Sequence, residues 1–262
     1  MKTQSDIKHF VLLFIILGII SLLAFTLEKS ELNDITKIEL TGNNFLSEDE
    51  YLIYSQLNRP DRLLGVTAAL IRDRLEKHPY IENVDINLIE RGIAQVKIYE
   101  KKMDAILLSK SKQYMISNNS EIIPWLSSTK NVNLPVIIDN YDSERIHVFD
   151  NAVSNEDLLC ALKIISTAEV YDEILYKSLS EINLSKDGGV SILLSDLTSP
   201  IYFGKRNEIE KTVFLSKIYK HIKGSKINKY LDYVDLRYNE MVYLGLDELS
   251  TRDEGKIWKR IL

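Results

Sequence analysis

The stretch FVLLFIILGIISLLAFTL, Phe10 to Leu27, carries no charged side chain and approaches the ~20 apolar residues that a helix needs to cross a hydrocarbon core. Within lipid each backbone N–H and C=O must be satisfied by the segment itself, so the stretch predicts a single membrane-spanning helix. The competing reading is a cleaved signal peptide. Its apolar region spans about 7 to 15 residues and its cleavage site favours an A-x-A pattern, which LLAFTLEKS matches poorly. Lys2, Lys8 and His9 precede the span, and Glu28, Lys29 and Glu31 follow it. That bias places residues 1–9 in the cytoplasm and the rest of the chain outside it.

The remainder has to fold as ordinary globular protein. The chain of 262 residues is 45% hydrophobic and 27% charged, with a net charge of −5 from 33 basic and 38 acidic residues. No global field favours nucleic acid or anionic lipid. In LIRDRLEKH the basic residues alternate with acidic ones, the pattern of a solvated helix face. The lone cysteine, Cys160, sits in the apolar window LLCALKII and reads as a small buried side chain, so no disulfide within the chain is expected.

In IELTGNNFLSEDE, Ile38 and Leu40 alternate with Glu39 and Thr41, and Gly42-Asn43-Asn44 tolerates positive φ. Ser47 and Glu50 form a capping-box pair, with Leu46 and Tyr51 placed as a hydrophobic staple, so a helix is expected from Glu48. A second helix is predicted over roughly Thr67 to Lys77, with Leu70, Ile71 and Leu75 on its inner face, ended by Pro79. Val84, Ile86 and Leu88, then Ala94, Val96 and Ile98 around Arg91-Gly92, predict a hairpin. The order β-α-α-β-β is expected to fold as one small α+β module over residues 35–101.

From Ala105 the pattern changes, and residues 102–249 are expected to form a second, mixed β-domain with flanking helices, followed by a tail at 250–262. AILL, YMIS, NLPVIID, SEINL, VSILL and PIYF read as strands, with Asp187-Gly188-Gly189 as a hairpin turn. Ser154 is the expected cap of a helix through Leu158, Leu159, Leu162 and Ile165. Asn207 to Lys223 predicts another, packing through Ile209, Val213, Ile218 and Ile222. LDYVDLRYNEMVYLGL closes the fold as two strands about Asn239-Glu240.

Motifs that carry catalysis are missing from the sequence. His9, His78, His147 and His221 share no ligand spacing, and no G-x-S-x-G elbow, Walker loop or dinucleotide fingerprint occurs. Asp232 and Asp235 form an acidic pair whose separation the sequence does not set. No cofactor or metal is expected. The tyrosines are more informative: of fourteen, Tyr219, Tyr230, Tyr233, Tyr238 and Tyr243 cluster late, and tyrosine is favoured both at interfaces and on the core faces of strands.

Taken together, these segments resemble the FtsQ/DivIB cell-division proteins. IELTGNNFLSEDE and HPYIENVDINLIERGIAQVKIYEK are similar to the family's POTRA module, and SEINLSKDGGVSILL, IYFGKRNEIEKTVFL and YVDLRYNEMVYLG to successive motifs of its β-domain. Two departures stand out: Tyr99-Glu100-Lys101-Lys102-Met103-Asp104-Ala105 replaces the usual Pro-Val-Ala junction, and Tyr80 stands where tryptophan is frequent. The resemblance implies a non-enzymatic divisome scaffold at the septum that recruits partners, in particular an FtsB/FtsL-like coiled-coil pair. The alternatives are a periplasmic cell-wall enzyme or its inhibitor, and an anchored POTRA chaperone. A partner site is expected on the terminal strands, at Arg237, Tyr238, Met241, Val242, Tyr243 and Leu244, acting by strand addition. Strand parity alone would instead turn Tyr238 inward as a core residue.

Overall fold

The computed structural model describes residues 15–21, 35–89, 92–130, 132–139, 146–185, 189–238 and 241–246. Of the Phe10–Leu27 stretch, residues 15–21 are described, and these are helical. Among the described residues no helix is long and apolar enough to cross a membrane. The expected cytoplasmic tail, the C-terminal tail at 250–262 and the turns at Asp187-Gly188 and Asn239-Glu240 lie outside the described residues. The chain divides into two compact units, one ending at Glu100 and the other beginning at Lys101.

The first unit runs β1 (Lys37–Thr41), α1 (Glu48–Tyr54), a 3-10 turn (Pro60–Arg62), α2 (Ala68–Glu76), β2 (Ile81–Ile89) and β3 (Ile93–Glu100). Its sheet has the order β1-β3-β2, with β3 parallel to β1 and antiparallel to β2. A parallel neighbour demands a crossover, which the two helices provide. Ile38 and Leu40 of β1, Val84 of β2, and Ala94, Val96 and Ile98 of β3 are buried with Tyr51, Ile71 and Leu75 of the helices.

The opening turn is fixed from both sides. Gly42 has φ +88°, and a Cβ there would stand 2.2 Å from the Ile98 carbonyl oxygen, so no other residue fits. The capping box forms as expected: Ser47 Oγ accepts from the Glu50 amide, and the Glu50 carboxylate accepts from the Ser47 amide at 2.9 Å. Glu100, at the far end of the unit, completes the corner by accepting from the Asn44 amide (2.8 Å), the Phe45 amide (2.9 Å) and the Tyr51 hydroxyl (2.5 Å).

Two expected inner residues lie elsewhere. Leu70 is 37% exposed and Leu88 is 54% exposed. Only Ile71 and Leu75, one turn apart, form the buried stripe of α2, and Leu70 falls beside it. A nine-residue helix spans ~14 Å against ~30 Å for a nine-residue strand, so α2 leaves part of β2 uncovered.

His78 is buried among the rings of Tyr51 and Tyr54, at centroid distances of 4.6 and 4.4 Å. Its Nδ1 accepts from the Tyr80 amide at 3.1 Å, which requires the neutral ring. Burial pulls the imidazole down to about 4. Because the unfolded chain titrates near 6.5, it binds the proton first as pH falls. The neutral ring's contribution is complete above pH 6.5 and is lost between 6.5 and 4, a total of about 3 kcal/mol. Chemical denaturation at pH 7 and pH 4.5 should show that loss in the first unit, and His78→Asn, which keeps an acceptor and cannot charge, should flatten it. An unchanged pH profile in the variant would remove His78 as the cause.

The second unit contains β4 (Met103–Ser109), β5 (Lys112–Ser117), β6 (Ile122–Pro124), β7 (Val136–Asp139), α3 (Glu156–Tyr171), α4 (Glu173–Ser178), β8 (Leu179–Leu184), β9 (Val190–Leu194), β10 (Ile201–Tyr202), α5 (Glu208–Ile222), β11 (Leu231–Asp235) and β12 (Tyr243–Leu246). They form one mixed sheet in the order β12-β11-β10-β9-β8-β7-β4-β5-β6. β7 runs parallel to β8 and β10 to β11, and each pair is joined through helices, α3 and α4 in the first case and α5 in the second. Ile164, Ile165 and Ala168 of α3 and Leu215 and Tyr219 of α5 cluster with Ile137, Ile182, Ile192 and Val234 of the sheet. Both units are therefore α+β.

Three local expectations are corrected. Asn155, not Ser154, caps α3: its Oδ1 accepts from the Asp157 and Leu158 amides at 3.0 and 3.2 Å, while Ser154 ends a preceding 3-10 turn. Helix α4, capped by Asp172, was not expected from the sequence. On α5, Ile209 is 58% exposed, and the buried stripe is Thr212, Leu215, Ser216, Tyr219 and Ile222. The polar members enter because they find partners: Ser216 Oγ donates to Asp172 Oδ2 at 2.5 Å, and the Tyr219 hydroxyl to Asp196 Oδ2 at 2.6 Å. Cys160 is buried, as expected, and burial pushes its thiol up to about 12.

Candidate functional site: the terminal sheet edge

Strand β12 ends the nine-stranded sheet, and among the described residues its outer side faces no further strand. It pairs antiparallel with β11 through Leu231–Leu246, Tyr233–Gly245, Val234–Leu244 and Asp235–Tyr243. Gly245 is fixed by its neighbour: a Cβ there would lie 2.3 Å from the Tyr233 ring, which covers the glycine backbone.

Asp235 sets the course of the chain beyond β11. Its Oδ1 accepts from the Arg237 backbone amide at 2.9 Å, closing a side-chain turn that takes the chain out of the strand. The Arg237 guanidinium returns to the same carboxylate, Nε to Oδ1 at 3.0 Å and Nη2 to Oδ2 at 2.6 Å. Arg237 holds the buried Asp235 carboxyl below the usual carboxylate range. The guanidinium carbon also lies 5.3 Å from the Tyr202 ring centroid, within cation–π range, so the cation is held against the surface.

This turn corrects the parity argument for Tyr238. Leu236 stays buried, but the alternation has ended, and Tyr238 is 54% exposed. Its ring packs edge-to-face on Tyr243 with centroids 5.2 Å apart. Met241 and Tyr243 are exposed beside it, Leu244 is exposed on the other face of β12, opposite Val234, and Val242 is half-buried against the core. Of the six expected residues the structure thus gathers Tyr238, Met241 and Tyr243 into one patch. Arg237 is fixed next to it, and Val242 serves packing.

One wall of the site was not legible in the sequence. A groove of about 400 Å³ runs between α5 and the chain leaving β11, lined by Asn207, Glu210, Lys211, Phe214, Leu236, Tyr238 and Met241. Lys211 forms its floor: it is buried, its Nζ donates to the Phe203 carbonyl at 3.0 Å, and burial lowers its pKa. The signal for this wall was Phe214, an aromatic residue four positions from Glu210 and off the buried stripe of α5. The acidic pair separates: Asp232 is exposed, whereas Asp235 is buried against Arg237. Among the described residues no cluster of His, Cys, Asp or Glu is arranged to hold a metal.

Comparison with known proteins agrees with both units. Residues 33–99 match the family model described as POTRA domain, FtsQ-type, and residues 105–237 the one described as cell division protein FtsQ/DivIB, C-terminal. The chain is 23% identical over 208 residues to the cell division protein FtsQ of Geotalea daltonii, spanning 79% of this chain and 73% of that protein. It is 23% identical over 205 residues to FtsQ of a Geobacter species, spanning 78% and 73%. Cell division protein DivIB of Weissella koreensis is 33% identical over 120 residues, 45% of this chain and 41% of that protein. A POTRA unit followed by a mixed β-domain, matched across both, makes this chain a member of the FtsQ/DivIB family of cell-division proteins.

Proposed function

We propose that this protein is a non-enzymatic scaffold of the division machinery, anchored by one helix at Phe10–Leu27 with its N-terminus in the cytoplasm. It recruits an FtsB/FtsL-like pair at the septum through the edge of β12. The observation that carries this reading is the β12 edge, which no strand pairs among the described residues, flanked by exposed Tyr238, Met241, Tyr243 and Leu244. An incoming strand would satisfy the edge backbone groups, and the adjacent groove would take a side chain or a short helical turn. Family membership and the charge-free span support the placement outside the cytoplasm.

A fluorescent copy should gather as a ring at midcell in dividing cells, and a reporter that works only outside the cytoplasm should be active when fused after Leu262. Even fluorescence around the whole membrane would remove the septal role. A silent reporter would remove the topology.

A further inference from the structure

We infer that the second unit carries a membrane-docking face at the C-terminal ends of α3 and α5, built to rest on a bilayer with anionic headgroups. Ion pairs tie these two helices in step: Asp157 to Lys205 at 2.6 Å, Lys163 to Glu208 at 3.7 Å, and Asp172 to Lys220 at 2.8 Å. Both members of each pair advance along the chain together, so α3 and α5 run in the same direction and end side by side. Val170 and Tyr171, the last residues of α3, and Ile174, in the first turn of α4, are exposed there, Val170 to 88%. Asp172 between them is buried, because its carboxylate caps α4 and accepts from Ser216 Oγ of α5. The apolar side chains on either side of it therefore stand out from a corner pinned by hydrogen bonds.

Cations surround that corner. From Ser216 to Leu231 the chain holds Lys217, Lys220, His221, Lys223, Lys226 and Lys229 and no carboxylate, and all of these side chains belong to exposed residues. The carboxylates of this end are already matched: Glu169 by Lys102, Asp172 by Lys220, Glu173 by Lys177 and Asp196 by Lys223. Lys217, Lys226 and Lys229 have no ion-pair partner among the described residues. The attraction of lysine to a helix C-terminus accounts for Lys220 and Lys223 at the end of α5, and does not reach Lys226 and Lys229 in the 3-10 turn beyond. A soluble polyanion would need the lysines alone. Exposed valine, tyrosine and isoleucine beside an excess of lysine form instead a surface that sinks apolar side chains between lipid headgroups while its cations meet the phosphates. With the anchor read at Phe10–Leu27, on which this inference rests in part, the chain meets the bilayer at high local concentration, and a small patch suffices.

Full-length protein carrying Val170→Cys should be labelled with a polarity-sensitive fluorophore and placed in lipid nanodiscs. Cys160 stays out of the labelling because it is buried with a protonated thiol. In discs of phosphatidylcholine mixed with phosphatidylglycerol the emission should shift to the blue and be quenched by nitroxide-labelled lipid. In pure phosphatidylcholine both effects should be absent. Each lysine near an anionic surface strengthens attachment roughly fivefold, so Lys217→Glu, Lys226→Glu and Lys229→Glu together should weaken docking at least tenfold, as should high salt. Tyr238→Ala should leave the probe signal unchanged, which separates this face from the β12 edge. Co-migration with the disc reports the anchor by itself. Where the anchor fails, flotation with preformed phosphatidylglycerol vesicles decides: the wild type should float, and Val170→Asp with Ile174→Asp, both at exposed positions, should sink with an unchanged melt. Equal probe signals in the two kinds of disc, whether aqueous or blue-shifted, overturn the inference, as does a wild type that sinks or a double variant that floats. Capture of soluble polyglycerol phosphate through Lys226 and Lys229 with no response at position 170 would assign the lysines to a polyanion in solution and overturn it equally.

Discussion

Val96→Asp is expected to unfold the first unit. Val96 is 1% exposed on β3, the central strand of the sheet, where it stands beside Leu40 of β1 and Ile86 of β2. A carboxylate there has no partner, and the least costly escape is protonation. Neutralising a carboxyl whose ordinary pKa is about 3.9 costs about 4 kcal/mol at pH 7, before the lost burial of the valine is counted. A module of this size has about that much stability in total. Hydrogen exchange on the full chain should show β1, β2 and β3 losing protection together while the second unit keeps its own. Gln95→Asp, one residue away on the exposed face, is the parity control and should leave the unit folded. Protection retained in Val96→Asp would mean that the strand faces are reversed.

The control works because a strand's faces are set locally, and that is also why much of the first unit is readable from sequence. Gly42, Ser47 and Glu50 act within a few residues of one another, so turn and cap are visible there. Glu100 is different: it closes the same corner from 49 to 56 positions away, and nothing local marks it. In the second unit the misread face of α5 has a related cause. Ser216 and Tyr219 are buried because Asp172 and Asp196, contributed by other segments, accept their hydrogen bonds, and a purely apolar periodicity cannot see such partners. The site divides along the same line. Its strand residues could be read from the YVDLRYNEMVYLGL alternation, whereas the groove wall of Glu210 and Phe214 exists only once α5 packs beside β11. The exposure of Tyr238 results from the Asp235 turn, a side-chain-to-backbone bond that overrides strand parity.

That turn also makes Tyr238 a clean test of the proposed partner site. Because its ring is 54% exposed and touches Tyr243 rather than the core, Tyr238→Ala should change folding stability by less than ~1 kcal/mol. Binding should respond far more strongly. Tyr238 joins the strand edge to the groove, and an aromatic residue buried at the centre of an interface contributes ~2 kcal/mol or more when truncated, roughly a thirtyfold loss of affinity. The comparison is capture of the FtsB/FtsL-like pair from the same cell, measured beside thermal melting of the same variant. Tyr238→Phe sharpens it, since the phenyl ring retains the apolar contact and should recover most of the binding. Lost binding with an unchanged melt supports the site; a collapsed melt returns Tyr238 to the core, and undiminished binding removes it from the interface.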